Sequence, residues 1–203
     1  MKIFCIANNY ASHNKEAESA LYRRKEPVFF MKPDSALLAG GTPFFLPDQL
    51  GETCVGIHLV VHICRLGKTI PERFAHRYWD MMTVGLDFTA ATLLTEAQSQ
   101  GLPWTMAKAL DGSAVIGQWV ERPQLPEDIP FCLKVNGQPR QQGHSSEMLH
   151  SIDKMVSRLS ETFTLKQGDL LFTGTLAGER PIQIGDSLEG TLADKTVLTC
   201  RCK

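Results

Sequence analysis

Long apolar runs are missing from this chain of 203 residues. Its opening stretch, Met1 to Ala7, meets polar Asn8-Asn9 too soon for a signal-peptide core or a membrane span, and is expected to form a first strand. None of the six cysteines shows the paired two-residue spacing of a zinc ribbon, and only Cys200 and Cys202 lie close together. Single reduced thiols in a cytoplasmic setting are therefore expected, in place of a disulfide framework. Like charges form no block, and a net charge of −1 leaves no long-range field to select nucleic acid or an anionic membrane. Low-complexity tracts, internal repeats and interdomain linkers are also missing, so one domain over residues 1–203 is expected, with a small molecule as its partner.

What is present reads as short strands and turns. Val55 to Ile63 is rich in β-branched residues. A two-residue period sets Gly56, His58, Val60 and His62 on one face, against Val55, Ile57, Leu59, Val61 and Ile63 on the other. Pro71 at a first helical position predicts a helix through Trp79, and Phe88 to Gln100, closed by Gly101, predicts a second that presents Thr89 and Leu93 together. Asn136-Gly137 after Phe131 to Val135 is a hairpin signal. A further helix is expected from about Ser146 to Leu159, capped by Ser145 or Ser146, with an apolar stripe of Ile152, Met155, Val156 and Leu159. The whole predicts a mixed, β-dominated fold with a few peripheral helices.

Several landmarks occur in order along nearly the whole chain: Asn8 to Glu16, Val28 to Leu37, Val84 to Thr89, Pro103 to Asp111, Val135-Asn136-Gly137, and Gly168 to Thr175. Together they resemble the fumarylacetoacetate hydrolase family, including its acylpyruvases and 2-hydroxyhepta-2,4-diene-1,7-dioate isomerases. The resemblance implies a β-roll or sandwich, a homodimer, and Mg²⁺ or Mn²⁺ beside a small 2-oxo acid or acylpyruvate-like substrate. It further implies chemistry through an enolate: isomerisation, C–C hydrolysis or decarboxylation. In such proteins a Glu-any-Glu pair and an aspartate hold the ion. Here the matching pair is Gly56 and His58, and Asp87 alone keeps its carboxylate. One aspartate is a poor cage for an ion that prefers several oxygen ligands.

The resemblance assigns catalytic roles to His13, Glu16 and Lys108 and substrate contacts to Tyr10, Gly174 and Thr175; Lys32 is expected either to bind substrate by adding a positive charge to the cleft or to form a structural pair. Asp87 and His58 are left as the candidate metal ligands. On their own terms, His13 and Glu16 are spaced to share one helical face, where the carboxylate orients the imidazole as a general base. Lys108, among apolar neighbours, suits an enolate or carboxylate oxygen, the bland alternative being a surface pair with Asp111. Thr173-Gly174-Thr175 offers a backbone amide and a hydroxyl to a substrate carboxylate, although Leu176 stands where relatives carry proline. Ala91 and Leu94 replace polar residues of relatives, and His62 on the strand face of His58 is a further metal-ligand candidate. Three readings follow: an enzyme with weak or absent metal binding, an inactive member acting as a binding or interaction protein, or a metal site rebuilt with His58 and Glu52.

Overall fold

The computed structural model describes residues 1–10, 26–38 and 41–203. The opening apolar run forms β1 (Ile3–Ala7), and β2 (Val28–Lys32) lies antiparallel beside it with Lys32 opposite Ile3. Two long antiparallel strands follow, β3 (Thr53–Ile63) and β4 (Trp79–Ala90), joined through the short helix α1 (Glu72–Ala75). After α2 (Ala91–Gln100) and α3 (Thr105–Lys108), β5 (Ala114–Ile116) and β6 (Val120–Glu121) both pair with β4. Next come the hairpin of β7 (Pro130–Val135) and β8 (Gln138–His144), then α4 (Ile152–Thr162). The chain continues through β9 (Leu170–Thr175), β10 (Arg180–Pro181), β11 (Ser187–Leu192) and β12 (Lys195–Arg201).

These strands make two sheets. The larger runs β2-β1-β9-β3-β4-β5, with β10 added on β3 and β6 on β4, and the smaller runs β12-β11-β7-β8. Ile57, Leu59 and Val61 of β3 enter the core between the sheets with Leu133 and Leu188 of the smaller sheet. The opposite face of β3 is covered as well: Val60 joins Ile3, Cys5 and Phe172 in a second cluster. Burial on both faces explains why β3 reads as an almost unbroken apolar run. At Gly190 a Cβ would stand 2.7 Å from Val84 Cγ2, so glycine there lets the two sheets close on each other.

The expectation of a mixed, β-dominated fold holds, with two sheets and few helices. Its details need three corrections. The helix expected from Pro71 through Trp79 ends at Ala75, and Trp79 opens β4 instead. The helix expected from Phe88 begins at Ala91, because Asp87, Phe88 and Thr89 continue β4 in register with Gly56, Val55 and Cys54. Cross-strand pairing outweighs the local helical pattern here. The third helix starts at Ile152, and its cap is Ser151, whose Oγ accepts from Lys154 N–H; Ser145 to Glu147 make a separate 3₁₀ turn. Its stripe of Met155, Val156 and Leu159 is buried as expected. Among the described residues no helix is long and apolar enough to cross a membrane.

Candidate active site

Strand register assembles the site. Gly56 on β3 lies directly opposite Asp87 on β4, while His58 faces Gly85 on one side and Thr175 of β9 on the other. Directly opposed residues in a ladder share a face of the sheet, so Asp87, His58 and Thr175 gather around the position where Gly56 has no side chain. They line a cavity of about 110 Å³ together with Lys108 and Glu179, beneath a wall that includes Phe30, Trp104 and Leu94.

Asp87 is almost completely buried, and both its oxygens meet ammonium groups. Lys32 Nζ lies 2.8 Å from Oδ1 and Lys108 Nζ 2.9 Å from Oδ2. Burial alone would push the Asp87 carboxyl up; the adjoining Lys108 and Lys32 charges, helped by His58, overcome it and hold the group well below the usual carboxylate range. Burial likewise presses the Lys108 ammonium down, and Asp87 and Glu179 outweigh that, so Lys108 stays charged.

The two lysines occupy different places. Lys32 is fully buried behind Asp87, where its ammonium also donates to Ser113 Oγ at 2.8 Å, to Phe88 O at 3.3 Å and to the Lys108 carbonyl. It does not line the cavity, which corrects the expectation that it adds charge to the cleft. Lys108, carried by α3, reaches the cavity with its ammonium fixed by Asp87 and by Thr89 Oγ1 at 2.6 Å, over the Phe30 ring. The surface pair with Asp111 is not the one formed. Correct placement of Thr89 depends on β4 extending to Ala90.

The turn at the end of β9 requires glycine. Gly174 has φ +110°, and a Cβ there would lie 2.7 Å from Asn9 Cβ. Buried Asn9 braces this turn by donating from Nδ2 to Thr173 O at 2.7 Å and accepting from His150 N–H at 2.9 Å. The Gly174 N–H donates to His58 Nδ1 at 3.1 Å. That amide was expected to meet a substrate carboxylate; here it is engaged by the imidazole, leaving the Thr175 hydroxyl at the cavity wall. With Nδ1 accepting, a neutral His58 carries its proton on Nε2, which lies 3.8 Å from Asp87 Oδ2.

Tyr10 is a second correction. It is completely buried, its ring centroid 5.7 Å from that of Phe131, in the core rather than among the cavity residues. Burial pushes its hydroxyl pKa upward, so it remains a neutral phenol. His62 also leaves the site: its Nδ1 lies 2.7 Å from Asp80 Oδ1, away from His58. Glu52 is exposed and does not line the cavity. His13 and Glu16 lie outside the described residues.

Sequence reasoning missed Glu179, Ser113 and the aromatic wall. A faint signal for the first existed, since a glycine inside an otherwise regular strand marks a place where another group approaches. Nothing local to Gly56 names that group as a residue 123 positions further on, by the difference 179 − 56.

The family model for the fumarylacetoacetate (FAA) hydrolase C-terminal region matches residues 2–203. The chain belongs to the fumarylacetoacetate hydrolase family. Within this family it is similar to the mitochondrial oxaloacetate tautomerase FAHD1 of Mus musculus, 36% identical over 189 residues that span 92% of this chain and 85% of that protein. A fumarylacetoacetate hydrolase family protein from Yersinia pestis CO92 superposes with a TM-score of 0.94 at 35% identity, covering 100% of this chain and 93% of the other. Fumarylpyruvate hydrolase from Pseudomonas aeruginosa, solved in complex with Mn²⁺ and pyruvate, does so with a TM-score of 0.91 at 32% identity, covering 100% and 89%. The fumarylacetoacetate hydrolase fold thus extends over the whole chain, and these relatives are named for reactions of small acids.

Proposed function

We propose that this chain is a fumarylacetoacetate hydrolase-family enzyme that enolises a small 2-oxo acid or acylpyruvate-like compound, with weak or no dependence on a metal. The downstream outcome would be isomerisation, C–C hydrolysis or decarboxylation. One observation carries the reading: the single carboxylate retained from the expected ligand set, Asp87, has an ammonium at each oxygen, and one of these, Lys108, faces the cavity.

The relative from Pseudomonas aeruginosa holds Mn²⁺ with pyruvate, and the residues here do not fit such an ion. Gly56 offers no side-chain donor atom. His58 uses its accepting nitrogen for the Gly174 amide, which leaves a protonated Nε2 without a lone pair for metal. Asp87 has a lysine ammonium at each oxygen, Glu179 adds one loop-borne carboxylate at the cavity wall, and no three His, Cys, Asp or Glu side chains cluster as ligands among the described residues. Mg²⁺ keeps several waters but is gripped through carboxylate oxygens, and the one carboxylate retained here is shared between two ammonium groups.

The chain's own groups suit the same task by another route. As a 2-oxo acid loses a proton from C3, negative charge grows on its carbonyl oxygen. The Lys108 ammonium is held in place by Asp87 and Thr89 before substrate arrives, so it stabilises that charge without reorganising. His58 Nε2–H is a second donor beside it, and Phe30, Trp104 and Leu94 limit water around both. Thr175 is assigned to the substrate carboxylate. His13 and Glu16 are retained as a proton-transfer pair on sequence grounds alone. A homodimer of single-domain chains in the cytoplasm belongs to the same proposal.

A second reading, binding without turnover, draws support from Leu94, which brings an apolar side chain to the cavity wall. Deuterium incorporation at C3 of pyruvate, followed by NMR in D₂O with chelator present, separates the two. Enolisation gives protein-dependent exchange well above the buffer rate. Absence of exchange from protein that still binds oxalate would leave the binding reading standing and remove the enzymatic one.

A further inference from the structure

The cavity is lined by two carboxylates among the described residues, and only one of them came from a recognisable strand position. Asp87 sits on β4; Glu179 comes from the loop between β9 and β10. Gly56, directly opposite Asp87, marks where a strand-borne side chain would enter. A Cβ built there would lie 2.6 Å from Glu179 Oε1 and 2.5 Å from Thr175 Oγ1. A side chain at position 56 and the Glu179 carboxylate therefore compete for one space, and glycine resolves the competition in favour of the loop.

The loop is built to hold this position. Gln141, buried on β8, accepts from Ile57 N–H at 2.8 Å and donates to Leu176 O at 2.7 Å, which ties the loop to β3. Just beyond Glu179, Arg180 pairs with Val55, next to Gly56. The carboxylate is thus anchored on both sides of its residue.

Among the described residues that line the cavity, the other titratable groups are poor proton acceptors. Asp87 is tied to two ammonium groups and is a poor proton acceptor. Lys108 is held in its charged form by the same aspartate, and the accepting nitrogen of His58 is engaged by Gly174. We propose that Glu179 is the proton-accepting carboxylate of this cavity, delivered by the β9–β10 loop into the space that Gly56 leaves open on β3. This rests on the enolisation reading above, with Glu179 taking the C3 proton in place of the His13 and Glu16 pair. In the step, the proton on C3 of the 2-oxo acid moves to a Glu179 oxygen and the C–H electron pair becomes the C2–C3 double bond. The carbonyl π pair moves onto oxygen beside Lys108. Return of the proton to that oxygen yields the enol, return to C3 restores the keto acid, and either regenerates the carboxylate. Glu179 is only partly buried, so its acquired proton exchanges with solvent and deuterium enters C3.

The test compares Glu179→Gln, Glu179→Asp and wild type by C3 exchange of pyruvate across pH, with oxalate binding measured on each. Glutamine keeps the shape and removes the base. Exchange is expected to fall about 100-fold with oxalate affinity kept, and the acidic limb of the wild-type pH profile is expected to disappear. Aspartate should recover part of the rate. Gly56→Ala should lower exchange in wild type by displacing the carboxylate and crowding Thr175, and lower it by a smaller factor in the Glu179→Gln background, where only the Thr175 part remains. Exchange by Glu179→Gln within about twofold of an active wild type would overturn the assignment and leave the enolisation reading intact. A wild type that exchanges nothing would overturn both.

Discussion

Lys108→Met is expected to lower enolisation by about 10²- to 10³-fold, the loss seen when one fixed donor to a developing oxyanion is removed. The methionine side chain fills similar space without the charge, so the change isolates the ammonium. Its partners explain why the effect should be so large. Lys108 Nζ is held at 2.9 Å from Asp87 Oδ2 and 2.6 Å from Thr89 Oγ1 in a site largely closed to water. A charge of fixed position in such surroundings acts far more strongly than one on the surface. Asp87 keeps its second ammonium, Lys32, so the variant should remain folded, with reduced stability. The measurement is the C3 exchange rate at saturating and limiting substrate. A loss confined to the saturating rate means Lys108 acts on the enolate. A loss confined to substrate affinity means it only binds the substrate.

Asp87→Asn should have the largest effect on stability, about 3–5 kcal/mol, the range for removing one partner of a buried ion pair. Two buried ammonium groups would lose their counter-charge at once, and Lys32 in particular has no exposed route to water. The same carboxylate sets an acid limit on the wild type. Its pKa in the folded protein lies below the unfolded value of about 3.9. Its contribution is therefore complete above that unfolded value and is lost as pH falls through the folded one. Urea unfolding at a series of pH values should show wild-type stability falling below about pH 4 on this account. The variant should be less stable at neutrality and should lack this component of the acid dependence. Equal stability of the two proteins at neutral pH would contradict the ion-pair assignment.

Which parts of the molecule could be read in the sequence follows from how local their causes are. The hairpin at Asn136-Gly137 and the buried stripe of α4 depend on residues a few positions apart, and both appear as expected. Phe88 to Ala90 look helical locally and are strand because they pair with Thr53 to Val55, a constraint invisible in a short window. The site divides in the same way. Asp87 and Lys108 stand in recognisable motifs, and the structure brings them within hydrogen-bond distance. Tyr10 stands in an equally recognisable motif and turns into the core, because motif membership does not fix which way a side chain points. Glu179 was missed because its place depends on a gap left by a distant glycine and on the grip of Gln141 on its loop.

The most direct test of a lysine-centred, metal-independent site is thermal unfolding of the wild type with oxalate, an enolate mimic, in chelator and then with Mg²⁺ or Mn²⁺. Ligands that bind the native state raise the transition by mass action. Oxalate is expected to stabilise the chelated protein, the metals are expected to add nothing further, and Lys108→Met should abolish the shift. Stabilisation that appears only when metal and oxalate are present together would contradict the account and restore a chelating site.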